Sequence, residues 1–419
     1  MPNPTGVNGY GIKNQPPDDV LKASLLLYSE CNLSREQKLA SLVDDYGYAI
    51  KLTKLAELEK DFAIPSKRRL KPPKEVVTQA IIDEVEKDHT RRNGPDYIQV
   101  KLRLEQGLHV GRDQVSNTMH IHFPEDFVKR FPGRQLIRQN RTAHTLVGPY
   151  HELHADGHEK LSASGLRMGD IGFSLYGYKD KWTCGIPFLR VMPESCSAAS
   201  GGHLFLDFVE QVGYIPLQLT TDKGPEIGYQ HAFMVTLREM YAPEFDPVEF
   251  PPHVILKSTN NTPIEGFWRI LSDKCGKNIK EQILQGKDQR IFDPTQSEHS
   301  YVLLFQQELD AFCRYWNNHT IRRQDTKLMP SGHVPAHAMD NPSQYGGIDC
   351  RIEVPKEAVS QLRQVLVEDT DKTRDDCFQW YSDEFAVWAQ LAFEEIGRPN
   401  LTLESAWDVF RRMALMITS

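Results

Sequence analysis

No run of 18 or more apolar residues occurs in this chain of 419, so nothing in it reads as a transmembrane helix, which needs about 20. No membrane partner is expected. The opening Met-Pro-Asn-Pro-Thr-Gly lacks the charged region and apolar stretch of a secretory leader. Cysteine is sparse, with seven at positions 31, 184, 196, 275, 313, 350 and 377. They are odd in number, scattered and never spaced Cys-x-x-Cys. That pattern excludes a disulfide framework or a zinc ribbon and reads as reduced intracellular thiols. Positive charge is also in deficit: 49 Lys and Arg stand against 57 Asp and Glu, a net charge of −8. For a nucleic-acid binder such a balance makes sense only if the charge is unevenly spread.

It is unevenly spread. Residues 60–74 carry Lys60, Lys67, Arg68, Arg69, Lys71 and Lys74 against the single acid Asp61. Residues 101–150 hold eight basic and four acidic side chains, whereas residues 351–419 hold eight basic and thirteen acidic. The average therefore hides a basic front and an acidic back. Length allows two or three domains, and 40% hydrophobic with 25% charged residues is ordinary for a globular protein.

Residues 1–19, rich in Gly and Pro, read as a flexible leader. Residues 20–63 read as a small helix-turn-helix-like module of three helices, the second capped by Ser34. Residues 64–74 form a basic linker broken by prolines. Lys67-Arg68-Arg69 fits a nuclear import signal, a phosphate-contacting linker or a merely solvated basic stretch. Residues 75–129 repeat the helical theme as a second such module. There Pro95 opens a helix, Gly107 ends it, and a recognition-like helix begins near Arg112. In a helix-turn-helix the second helix offers side chains to base edges, and Arg112, Gln114 and Asn117 have that chemistry. A three-helix bundle without DNA contact is the alternative. Residues 130–147 contain Arg130, Arg134, Arg138 and Arg141, an Arg-rich linker suited to lying along phosphates.

From residue 148 the pattern becomes α/β. Strands are expected at 150–156, 171–178, 186–192, 214–219 and 254–256, with helices at 201–212 and 231–241. Strands that come first in hairpin order and then alternate with helices argue for a mixed sheet. Asp156 falls in or at the end of the first strand and Asp222 just past the fourth, where ligand sites of α/β sheets tend to lie. Glu265 follows Ile264 in a helix whose apolar face is Ile264, Phe267, Trp268 and Leu271. Three acids so placed suit displacement at a phosphodiester, in which two divalent ions activate the attacking oxygen and stabilise the leaving one. Mg²⁺ prefers hard oxygen ligands and keeps several waters, so a few carboxylates suffice. Arg269, one turn beyond Glu265, either pairs with it or meets a phosphate.

The motifs His154-Ala-Asp-Gly-His158, Thr221-Asp-Lys-Gly-Pro-Glu226, Asn260-Asn-Thr-Pro-Ile-Glu-Gly-Phe-Trp268 and Tyr315-Trp-Asn-Asn-His319 occur in that order, followed by Met329-Pro-Ser-Gly-His-Val-Pro335. In this the chain resembles the DDE integrase and transposase catalytic cores, of the retroviral-integrase-like type found in eukaryotic transposable elements. The resemblance covers roughly residues 148–340. It implies a ribonuclease H-like mixed five-stranded sheet with flanking helices, preceded by helix-turn-helix-like modules and followed by a helical segment, 341–419. It also implies a polynucleotidyl transferase that cuts and joins DNA, with Asp156, Asp222 and Glu265 as catalytic acids holding two Mg²⁺ or Mn²⁺ ions. Its partners would be element ends and target DNA, handled by a homo-oligomer in the nucleus. Lys223 and Arg269 are candidate DNA contacts. There are departures: Asp222 and Glu265 lie 43 positions apart, and Lys223 and Gly266 replace residues more common beside the acids. The His-His-Cys-Cys zinc module of many relatives and their C-terminal β-barrel have no counterpart.

Other readings stand beside this one. A domesticated or inactive transposase would keep DNA binding without catalysis, and a ribonuclease H-like nuclease acting on RNA–DNA hybrids would share the metal chemistry. His154 and His158, on one face of a strand, admit a zinc reading with no Cys partner nearby. Trp380, Trp388 and Trp407 in the C-terminal segment are either core or a partner surface.

Overall fold

The computed structural model describes residues 14–66, 72–88, 91–124, 146–158, 167–168, 171–193, 197–256, 261–289, 291, 299–324, 329–380, 382–403 and 405–417. They fall into two compact units, one built from residues 1–140, 318–324 and 331–345, the other from residues 141–317, 325–330 and 346–419. Residues 318–324 and 331–340, expected in the core, and 341–345, expected in the C-terminal helical segment, pack in the first unit. Among the described residues no helix is long and apolar enough to cross a membrane.

The first unit is helical. Helices α1 (Asp18–Glu30), α2 (Arg35–Tyr46) and α3 (Leu52–Asp61) close on a core that includes Leu21, Leu25, Leu42 and Leu55. Ser34 starts α2 through a capping box: its hydroxyl accepts from Gln37 N at 3.2 Å, and Gln37 Oε1 accepts from Ser34 N at 2.9 Å. This reciprocal pair satisfies two donors that a helix start leaves open. Gly47, at φ 63°, ends the helix in a left-handed turn that a side chain adopts only under strain. Helices α4 (Lys74–Glu86), α5 (Pro95–Gln106) and α6 (Arg112–His122) follow, with Val77, Ile81, Ile98, Leu102, Val115 and Met119 buried. Pro95 and Gly107 bound α5, as expected. His337 Nε2 meets Ser41 Oγ at 3.2 Å and Tyr345 accepts from Gln37 at 3.1 Å, which holds 331–345 against α2.

The second unit is a five-stranded mixed sheet of β1 (Glu152–His158), β2 (Ser174–Asp180), β3 (Phe188–Met192), β4 (Gln218–Asp222) and β5 (His253–Leu256) in the order β3-β2-β1-β4-β5. The first three strands run antiparallel, and β4 and β5 add in parallel. This is the ribonuclease H-like arrangement, flanked by helices. Helices α7 (Ala198–Val212) and α8 (Ile227–Tyr241) pack together between the strands in sequence, as the parallel crossovers require. Helix α9 (Thr262–Leu271) lies against β1 and β2, and a π-helical turn, Ser272–Gly276, joins it to α10 (Lys277–Asp288). On α11 (His299–Asn318), Trp316 packs edge-on to Phe267 of α9 at 5.2 Å.

Two strands differ from expectation. The predicted strand over 214–219 is two pieces: Tyr214–Ile215 pairs with Ile352–Glu353, and β4 starts only at Gln218. Pro216 lies in the break, and it has no N–H to give a ladder. Asp222 is therefore the last residue of a strand rather than a residue beyond one. The predicted strand over 171–178 is also interrupted, at Phe173, and resumes as β2 through Asp180. In the C-terminal helices, α13 (Lys356–Thr370) packs on α7, and α15 (Asp383–Glu395) packs on α16 (Ala406–Ile417). The short helices Pro335–Asp340 and Arg374–Phe378 are α12 and α14. Trp407 is core, donating to Gln282 O at 2.6 Å, whereas Trp388 is exposed.

Candidate active site

Strands β1 and β4 pair in parallel with Glu152, Leu153 and His154 opposite Gln218, Leu219 and Thr220. The same offset, continued two residues past the last paired rung, brings Asp156 to the level of Asp222, the final residue of β4. Alternation puts both acids on the face that also carries Glu152, His154 and Thr220. There Thr220 donates to Glu152 at 3.0 Å.

Helix α9 reaches the same place from the other side. Asn261, just before its first turn, accepts from His154 Nδ1 at 2.6 Å and donates to Ala155 O at 3.2 Å. Two turns on, the Trp268 indole donates to Asp156 Oδ2 at 2.8 Å and its ring stacks on His158 at 5.0 Å. Positions 261, 265 and 268 share one helix face by i, i+4, i+7 spacing. Glu265 is thus held between two points at which α9 grips β1.

The electrostatics agree with this geometry. Burial pushes the Asp156 carboxyl up to about 7; the Trp268 hydrogen bond opposes that rise, and the negative charges of Asp222, Glu265 and Glu226 add to it. Burial also raises Asp222, against a backbone hydrogen bond. Glu152 goes the other way. Burial would raise it, but His154 and Lys181, at 2.9 and 2.7 Å, hold it down at about 2. Glu152 is therefore a fixed anion beneath the site, while Asp156 is a carboxylate under pressure from like charges.

Glu226, four residues after Asp222 in the same motif, is a fourth acid, one to which the sequence alone assigns no role. The signal was present in Asp-Lys-Gly-Pro-Glu, where Gly224 leaves room: a Cβ there would meet the Glu226 carboxylate at 2.2 Å. Trp268 and Asn261 acquire their site contacts only in the fold, because their partners on β1 are more than 100 residues away.

The other expected site residues are scattered. Gln114 and Asn117 are exposed on the outer face of α6; Arg112 is exposed too but gives its Nε to Asp96 Oδ1 at 2.7 Å. Lys223 and Arg269 are exposed. Arg134, Arg138 and Arg141 lie outside the described residues, as do Lys67, Arg68 and Arg69. Among the described residues no three His, Cys, Asp or Glu side chains gather closely enough to hold a metal ion. The zinc reading of His154 and His158 therefore gains no third ligand. The donor set of Asp156, Asp222 and Glu265 is all hard oxygen, and its mutual repulsion is what a divalent cation relieves.

No family model matches the chain, and neither does any curated protein. Among solved structures it is similar to the simian T-cell lymphotropic virus intasome in complex with PP2A regulatory subunit B56 gamma, at 12% identity over 65% of this chain and 76% of that one, TM-score 0.33. It is similar also to a Mos1 strand transfer complex, at 13% identity over 83% and 98%, TM-score 0.22. A Mos1 mariner paired end complex with Mn matches at 14% identity over 65% and 95%, TM-score 0.16. Likenesses this distant carry no argument about chemistry, which rests on the residues themselves.

Proposed function

We propose that this chain is a metal-dependent polynucleotidyl transferase of the DDE integrase and transposase type, with Asp156, Asp222 and Glu265 as its catalytic acids. What supports the reading is the β1–β4 offset, which continued two residues brings Asp156 level with Asp222, together with the two contacts by which α9 holds β1 on either side of Glu265. Asp156, between the other two, would be the shared ligand, and Asp222 and Glu265 would each hold one ion. Mg²⁺ or Mn²⁺ bound there supplies Lewis-acid activation of the attacking oxygen and stabilises the leaving one. The chain itself supplies orientation, through a carboxylate fixed by an indole and a helix fixed by Asn261.

DNA is the substrate in this reading, both as element ends and as target. Gln114 and Asn117 would face base edges, while Arg112, Arg134, Arg138, Arg141, Lys223 and Arg269 would meet phosphates. The working form would be a homo-oligomer in the nucleus. A supercoiled plasmid incubated with purified protein and Mn²⁺ tests this. Nicking that needs the metal and disappears in Asp156→Asn, with DNA binding retained, supports it. Nicking that survives chelation or that substitution defeats it, and binding without nicking in any divalent ion leaves a DNA-binding protein only.

A further inference from the structure

Trp268 is 1% exposed on the inner face of α9, and core packing explains the burial. It does not explain where the one polar atom of the side chain points. A buried indole N–H needs an acceptor, and backbone carbonyls fill that role elsewhere in the chain: Trp316 donates to Cys184 O at 2.8 Å and Trp407 to Gln282 O at 2.6 Å. Trp268 donates instead to a carboxylate oxygen, Asp156 Oδ2, at 2.8 Å.

The surroundings are shaped to hold that contact. The Trp268 ring lies 11° from parallel to the His158 imidazole, which sets its plane. Gly177 stands directly opposite Asp156 on β2, and a Cβ there would come within 3.1 Å of Trp268 Cη2. A larger residue at 177 would crowd the ring away from its position over the strand.

We infer that Trp268 is a positioning residue for Asp156: its indole N–H holds Oδ2, which fixes the carboxylate rotamer and leaves Oδ1 as the oxygen presented to a cation. Because Glu265 lies one turn before Trp268 on the same helix, the contact also sets the third acid relative to the first. The inference rests on the proposal above that Asp156 holds a divalent ion. Partners that orient a metal ligand from behind matter about as much as the ligand's own geometry.

The test is Mn²⁺ affinity of the full chain by titration calorimetry, which needs no catalytic turnover. Benzothienylalanine placed at 268 keeps the ring shape and puts sulfur where the N–H was. Its expected effect is a loss of roughly ten- to a hundredfold in Mn²⁺ affinity with cooperative unfolding retained. Phe267→Leu, which loosens the same helix without touching Asp156, should lower the unfolding temperature and leave the affinity alone. Unchanged affinity in the sulfur analogue, with Asp156→Asn still abolishing binding, overturns the inference and spares the acids. A wild-type chain that binds no Mn²⁺, or that binds it equally after Asp156→Asn, overturns both. An affinity loss in Phe267→Leu as large as in the analogue assigns the effect to packing and also overturns the inference.

Discussion

His154 Nδ1 donates to Asn261 Oδ1 at 2.6 Å, joining the middle of β1 to the start of α9 across 107 residues of chain. Both side chains are buried, at 1% exposure each, so neither has water as a substitute partner. Asn261→Ala should cost about 1–3 kcal/mol, the penalty of leaving a buried donor unmet. Each of those kcal/mol lowers the unfolding temperature by roughly 2–4 °C in a domain of this size. The metal-dependent nicking proposed above should fall with it, because Glu265 loses one of its two anchors. A variant as stable as wild type would show that the pair contributes nothing.

The raised Asp156 carboxyl makes stability depend on pH with a definite sign. Its ordinary value is 3.8 and its folded value about 7, so between these the folded chain keeps a proton that the unfolded chain has released. Stability from this group is greatest toward acid and is lost as pH rises through about 7. In chelator, Asp156→Asn should be more stable than wild type at pH 8, by something on the order of a few kcal/mol. The gap should shrink toward pH 4. Urea midpoints at pH 5 and pH 8 decide it, and equal gaps at the two values would refute the assignment.

Gly201 on α7 lies against Glu226, the residue before α8: a Cβ there would sit 2.1 Å from the Glu226 carbonyl oxygen, which is backbone and cannot swing aside. Gly201→Ala should destabilise the second unit by about 1–3 kcal/mol, the usual cost of overpacking. It should also shift Glu226 and the strand end beside it. Gly228→Ala meets nothing within 4 Å and serves as the control in the same thermal melt.

On α6 the three predicted DNA contacts are not equivalent. Gln114 and Asn117 share the outer face, whereas Arg112 sits at the helix start and is already paired with Asp96. If α6 reads bases, Asn117→Ala should weaken binding to a specific site by about 1–3 kcal/mol. Arg112→Ala should weaken all DNA alike and flatten the salt dependence. Fluorescence anisotropy at two salt concentrations separates these outcomes. Equal, small effects from both substitutions would favour a bundle that does not touch DNA.

Much of the architecture is legible in the sequence alone, for local reasons. The Ser34 box, Pro95 at a helix start and Gly107 at a helix end are signals that span a few residues, and each stands where expected. The hairpin strands followed by alternating strands and helices announced a mixed sheet. Where local pattern misled, the cause was equally local: the apolar run 214–219 conceals Pro216, which diverts Tyr214 and Ile215 to a different partner strand.

By itself the order of residues determined which acids were candidates and which elements carry them, because helix and strand periodicities and turn chemistry act over short stretches. Only the tertiary structure decided that β1 and β4 pair in parallel with His154 opposite Thr220, an offset that runs on toward Asp156 and Asp222. It alone brought Glu226 into the same field and handed Asp156 Oδ2 to the indole of Trp268. Those pairings join atoms far apart along the chain, and burial decides them: a polar group withdrawn from water must find whichever partner the packed core sets beside it.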